Sequence, residues 1–245
     1  MIKFLRSFLM VLLFALFGAG SVVVGLIIFP LINLFSKNTK QKYSKILHTR
    51  WRIFLKLITK IKVIKLNIQN FDEIKNIKNS IIVSTHPSYI DVLILLALIP
   101  KTTCFVAPKI SRNCFFKNIA KSMFLISGNP LETIIKDAKE ALNEGFNVLI
   151  FPMGTRHKKN EFPKIKKGAA TIALETKRNI AVLKMTTNED FLQVNQPFYD
   201  AGEKQINYDI SFVKTINTAD FANKENDEVL LRRNLTNEIK TALYD

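Results

Sequence analysis

Asp and Glu are missing from the first 71 positions, which carry 12 Lys and Arg. Cysteine is almost missing too. Cys104 and Cys114 stand alone, with no His at ligand spacing, which excludes a disulfide framework and a zinc site and reads as two reduced, buried thiols. Eight glycines in 245 residues form no glycine-rich nucleotide or dinucleotide loop. Three histidines, His48, His86 and His157, leave few candidates for a general base. No repeat and no low-complexity linker interrupts the chain, which excludes an array of small modules.

Apolar residues are plentiful: 48% of the chain, including 19 Phe, at a mean hydropathy of +0.11. Such a composition excludes a disordered or fibrous chain and suffices for one α/β domain with an appendage. The net charge of +16 attracts phosphate, on nucleic acid or on lipid headgroups. Position separates the two, because residues 72–245 carry 24 cations against 20 anions and the excess lies at the N-terminal end. A nucleic-acid binder needs a basic folded body, so that reading ranks last.

Residues 7–36 hold no charge and are flanked by Lys3 and Arg6 before and by Lys37, Lys40 and Lys42 after. Crossing a bilayer as a helix takes about 20 residues, and the apolar run of a signal peptide about 7–15. The cleavage-like Gly18-Ala19-Gly20-Ser21 lies well before this run ends. We therefore expect a retained membrane segment over 1–36. Gly18, Gly20, Gly25 and Pro30 leave open one kinked span or a hairpin within one leaflet, and cations on both flanks leave its orientation open. Over 37–66, Tyr43, Ile46, Leu47, Trp51, Phe54, Ile58 and Ile61 recur at helical spacing with Lys and Arg between them. This is a basic amphipathic helix, either lying in the headgroup plane or packed on the domain as an ordinary surface helix. Its place directly after a membrane segment favours the headgroup plane.

From 67 to 245, short β-branched runs alternate with helical periodicity. Residues 81–84, 104–107, 124–127, 148–151, 180–185 and 209–213 read as strands. A helix starts with Asn129 as its cap and Pro130 at its first position and stops at Gly145; a second follows Gly168, and a third covers 227–243. The fold class expected is α/β: a mainly parallel sheet flanked by helices.

His86 ends the strand-like run 81–85 and precedes Pro87-Ser88-Tyr89-Ile90-Asp91. On one unbroken helix, His86 and Asp91 would point about 140° apart. With Pro87 as the first helical residue, the imidazole lies off the helix N-terminus, where Asp91 can accept its ring N–H. A carboxylate that holds one imidazole nitrogen makes the other a general base for a hydroxyl. Ser88 lacks the strained elbow of a serine nucleophile and reads as a first-turn hydroxyl. Some 65 residues on, Phe151-Pro152-Met153-Gly154-Thr155-Arg156 again ends a buried strand. Gly154 permits a tight turn, and Thr155 and Arg156 offer donors to a phosphate; a strand-to-loop turn with a surface arginine is the plain alternative.

These blocks resemble the glycerolipid acyltransferases, in which an H-x4-D block precedes an F-P-E-G-T-R block; Phe162 to Ala170 is similar to the stretch just after the second block there. The resemblance covers about 80 residues in order and spacing. It implies direct acyl transfer without a covalent intermediate: His86, oriented by Asp91, deprotonates a lysophospholipid hydroxyl that attacks the thioester of acyl-CoA or acyl carrier protein. The acceptor expected first is 1-acylglycerol-3-phosphate, its phosphate held by Gly154, Thr155 and Arg156. No metal or resident cofactor is implied, since the thioester is a co-substrate. The expected setting is phospholipid biosynthesis at a bacterial inner membrane, with the catalytic domain on the cytoplasmic face, membrane lipids as partners and no nucleic acid.

Three positions depart from that pattern. Met153 replaces the glutamate of the second block and removes any acceptor contact that a carboxylate would make. Ser127-Gly128-Asn129 stands where an arginine often follows a short strand. Ile180 to Lys184 replaces an Ile-Pro pair, leaving Lys184 as a substitute cation. The base pair is intact and the acceptor grip altered, so a different lyso-lipid acceptor, or a lipid-binding homologue with impaired catalysis, stands beside the first reading.

Overall fold

Helices of opposite solvent preference precede the first strand in a computed structural model, which describes residues 3–36, 39–112, 117–158, 161–222 and 227–245. Cys114 lies outside the described residues. The N-terminal arm comprises α1 (Lys3–Val23), a π-helical turn (Val24–Ile28) and α2 (Phe29–Phe35), followed by α3 (Thr39–Lys60). The body then runs β1 (Ile64–Gln69), α4 (Phe71–Lys75), β2 (Ile81–Ser84), α5 (Asp91–Leu98), β3 (Thr102–Val106), α6 (Pro108–Arg112), α7 (Lys117–Met123) and β4 (Leu125–Ile126). It continues with α8 (Leu131–Asn143), β5 (Asn147–Ile150), α9 (Gly168–Thr176), β6 (Ile180–Thr187), β7 (Ile206–Ile216), α10 (Ala219–Ala222) and α11 (Glu228–Tyr244).

The strands form one seven-stranded sheet in the order β1-β7-β6-β2-β5-β3-β4. Every neighbouring pair is parallel except β6 with β7, so the sheet is mainly parallel and flanked by helices, as expected. The centre is apolar throughout: Ile81, Ile82, Val83, Val148, Val182 and Leu183 are fully buried. From β2 the chain crosses over β5 to reach β3, and from β5 it crosses over β2 to reach β6. The connections leaving the adjacent strands β2 and β5 thus diverge, opening a crevice at their carboxyl ends, where such sheets bind ligands.

Several local expectations change. Pro130 is the residue before α8 and is extended (φ −53°, ψ 148°), so the helix starts at Leu131, one residue later than the Asn129 cap implied. Its far end is as expected: Gly145 adopts φ 81°, and the N–H groups of Gly145 and Phe146 close onto Leu142 and Ala141 in a Schellman arrangement. The last strand extends to eleven residues, because Ile206, Tyr208 and Ile210 alternate inward along it. An additional strand, β1, crosses position 66; it follows α3 closely, with one buried residue, Ile64, at its start.

The helix α3 spends its apolar face inside the protein. Tyr43, Leu47, Trp51, Phe54 and Ile58 are buried; Phe54 packs against Phe14 and Phe17 of α1, and Trp51 stacks on Phe124. Ile53 and Leu57 remain exposed. The arm is apolar over 33 residues, long enough to cross a membrane, with most of its surface outside the core.

Candidate active site

At the crevice, Thr85 closes the end of β2: its hydroxyl donates to the carbonyl of Met185 at 2.6 Å and accepts the Met185 N–H at 2.7 Å. The next residue is His86. Its Nδ1 lies 2.9 Å from Asp91 Oδ2, and the same oxygen accepts the Ser88 N–H at 2.7 Å. The pairing is as expected, but the route differs. Residues 87–90 form a turn and the helix starts at Asp91 rather than at Pro87, because the Asp91 carboxylate reaches back to Ser88 as in the reverse half of a capping box. Ser88 is fully buried, which removes it as a nucleophile.

The His86 ring stacks on Phe151, with centroids 4.0 Å apart and planes 19° apart. Asp91 on one side and Phe151 on one face therefore set the ring, leaving Nε2 as the nitrogen available for chemistry. Asp91 is wholly buried. Burial pushes its carboxyl up from the ordinary value, while His86, the Ser88 N–H and the Tyr208 hydroxyl work in the opposite direction. Tyr208, on β7 and completely buried, is itself pushed well above the ordinary phenol value, first by burial and then by the Asp91 charge.

Gly154, Thr155 and Arg156 line one cavity together with His86 and Tyr89. Gly154 adopts φ 77°, and a Cβ there would sit 2.4 Å from Lys166 Nζ, so the turn needs glycine and a second cation lies against it. Arg156 Nη1 donates to the carbonyl of Leu192 at 2.6 Å, and the guanidinium lies 5.4 Å from the centre of the Tyr89 ring. The cavity, about 510 Å³, continues between α1, α3, α5 and β3. Phe14, Phe17, Leu47, Trp51, Leu93, Leu96, Phe105 and Phe124 make its walls apolar, with Arg50 and Ser21 toward the arm. Cys104, also on the wall, has its thiol pushed up to about 12 by burial and is inert as a nucleophile.

The three departures have local causes. Met153 is 3% exposed and packs in the core, so position 153 faces away from the cavity. Gly128 lies under Pro108, where a Cβ would meet Cγ at 2.4 Å, and Ser127 bonds back to the Val106 carbonyl; no cation extends from this turn. Lys184, half-buried on β6 opposite Ser211, does not line the cavity and is no substitute cation there.

Sequence reasoning missed Lys166, His157, Gln193 and Tyr208. The His157 N–H donates to the His86 carbonyl at 3.1 Å, and His157 Nε2 accepts the His86 N–H at 3.2 Å, so the two blocks are tied once backbone to backbone and once backbone to side chain. Among the described residues, no cluster of three or more His, Cys, Asp or Glu could hold a metal.

The fold and the cavity together define a class: an α/β protein whose cleft at the strand ends opens into an apolar chamber. Residues 65–186 match the family described as Acyltransferase, and the chain belongs to that family. A 1-acyl-sn-glycerol-3-phosphate acyltransferase from Cocos nucifera is 31% identical over 117 residues, covering 44% of this chain and 37% of that protein. The match thus spans little more than a third of that relative's length. The crystal structure of the 1-acyl-sn-glycerophosphate (LPA) acyltransferase PlsC from Thermotoga maritima superposes with a TM-score of 0.71, covering 99% of this chain and 97% of that one. At 14% identity this likeness concerns the fold.

Proposed function

We propose that the protein transfers a fatty acyl group from acyl-CoA or acyl carrier protein to the free hydroxyl of a lysophospholipid, 1-acylglycerol-3-phosphate, at a membrane surface. The observation that carries the reading is the His86–Asp91 pair at 2.9 Å, set at one end of an apolar cavity that also holds Gly154, Thr155 and Arg156. His86 Nε2 takes the proton of the acceptor hydroxyl as its oxygen attacks the thioester carbonyl carbon. The tetrahedral intermediate collapses, the C–S bond breaks, and the thiolate leaves with the proton returned by His86. Asp91 holds the imidazole in the required tautomer and supports its positive charge.

Arg156 and the backbone around Gly154 suit the acceptor phosphate, with Lys166 adding charge beside them. The apolar walls suit an acyl chain, and the long apolar arm suits a substrate drawn from a bilayer. Because position 153 faces the core, its lost carboxylate takes nothing from the cavity wall, which favours the phosphate-bearing acceptor over a different lyso-lipid. The test is an acyl-transfer assay in detergent with 1-acylglycerol-3-phosphate, other lysophospholipids and monoacylglycerol. We expect the phosphate monoester to be used best and Arg156→Ala to remove that preference. A wild-type protein that acylates none of them sinks the proposal.

A further inference from the structure

A segment outside both sequence blocks holds the two halves of the site together. Between β6 and β7, Phe191, Leu192 and Gln193 are buried although they belong to no helix or strand. Leu192 adopts φ 50°, a left-handed conformation that a non-glycine residue keeps only when its surroundings hold it there. The Leu192 carbonyl accepts Arg156 Nη1 at 2.6 Å. The adjacent side chain, Gln193, is 6% exposed, and its Nε2 donates to the carbonyls of Pro87 and, at 2.7 Å, of His157. Its own backbone N–H is satisfied by Gln196 Oε1 at 2.9 Å.

Pro87 follows His86, and His157 follows Arg156. One amide nitrogen, with its two N–H groups, therefore bridges the loop that carries the candidate base and the loop that carries the candidate phosphate anchor. The geometry points to Gln193 as a positioning residue for acyl transfer, one that sets the separation of His86 and Arg156. The inference rests on the roles proposed above for those two residues. A glycerol phosphate held at its phosphate presents its hydroxyl at a fixed reach, so a small change in the spacing of anchor and base misplaces the hydroxyl from Nε2. An acceptor without phosphate is not held at that end, and its transfer depends less on the spacing.

The experiment compares the full chain with Gln193→Met, which keeps the volume and removes both donors, and with Gln193→Glu, which sets a carboxylate against two carbonyls. Thermal unfolding establishes that each variant is folded, and Gln193→Glu serves if Gln193→Met is not. Hydrogen exchange should rise in residues 86–90 and 154–158 and stay unchanged in β2 and β5. Turnover of 1-acylglycerol-3-phosphate should fall about tenfold, while turnover of monoacylglycerol falls less than about threefold. Adding Arg156→Ala to the Gln193 variant should cost less than it does in the wild type. Unchanged exchange in both loops overturns the inference, as do equal losses on the two acceptors, which mark a general loss of structure. Absence of transfer by the wild type sinks the acyl-transfer reading instead, and the exchange result still decides whether Gln193 ties the loops.

Discussion

The body and the N-terminal arm differ in what they turn outward. In the body, Ile81, Ile82, Val83 and Val148 fill the interior, and the cations stand outside. On the arm, Phe4, Phe8, Leu16, Leu34 and Phe35 face outward, with 57–79% of their surface exposed, while Met10, Leu13, Val24 and Phe29 are buried on the inner face together with polar ties. Arg6 is buried and donates to the carbonyls of Gly202 and Glu203, each at 2.6 Å. From α3, Arg50 donates to the carbonyls of Phe17, at 2.9 Å, and Gly20. Asn118 reaches the carbonyl of Gly25 at 2.9 Å. In water, an element docks chiefly by hiding apolar surface. Among lipid tails that drive vanishes, and close packing with hydrogen bonds fixes orientation instead. The arm carries an outer face of the kind lipid favours, and packing and polar ties on its inner face.

The most damaging way to break the body is at Asp91. Asp91→Asn should lower acyl transfer by about 10³-fold or more, because the amide no longer selects the tautomer that leaves Nε2 unprotonated, and His86→Ala should do the same. The same Asp91 change should stabilise the fold. Burial raises the Asp91 carboxyl, so its ionised form costs folding free energy, fully at pH values above the raised value and less and less as pH falls from there to the ordinary carboxylate value. Asp91→Asn should therefore melt above the wild type at neutral pH, by an increment that shrinks as the solution is acidified through and below that raised value. Melting curves across the pH range check this; a variant that melts lower at neutral pH contradicts it.

The arm breaks differently. Leu16→Asp and Phe8→Asp place a charge on the outward face, outside the lining of the His86 cavity. At the centre of a bilayer an aspartate costs about 2.5–3.5 kcal/mol, so co-sedimentation with anionic vesicles should fall by about tenfold or more. Turnover in detergent should stay within about twofold of the wild type, since neither side chain lines the cavity. A variant that still sediments with vesicles while losing turnover would place the arm in the catalytic machinery rather than at a membrane.

Sequence distance decides how much of this was legible. His86 and Asp91 are five residues apart, and a strand end followed by proline was enough to bring them together. The exact start of α5 was not, because it depends on Asp91 turning back to the Ser88 N–H, a bond that only the folded chain reveals. The ties from His157 and Gln193 span 71 and 106 residues and leave no periodic trace, and neither does the approach of Tyr208 to Asp91. The apolar stripe of α3 satisfied two readings equally well, since lipid and a protein neighbour ask for the same residues. The structure gives most of it to α1 and α5 and leaves Ile53 and Leu57 outside. Met153 was legible as a departure but not in its consequence, which depends on the direction its side chain takes from the turn.

The smallest expected effect tests the deepest layer of the site. Tyr208 stands on β7, opposite Thr187 of β6, and its buried hydroxyl, near Asp91 and Ser88, is left without a hydrogen-bond partner among the described residues. It is one of the influences that hold the Asp91 carboxyl down against burial. Removing it with Tyr208→Phe leaves the ring in place and lets the Asp91 pKa rise further. Since transfer needs the ionised carboxylate, the acid limb of the kcat profile should move to higher pH. At neutral pH kcat should drop by about threefold to tenfold with KM nearly unchanged, because the substrate touches neither group. A structural role alone would lower stability without moving that limb. An unmoved limb therefore separates packing from electrostatics, and would confine control of the dyad to the crevice, as the arm's polar ties are confined to its inner face.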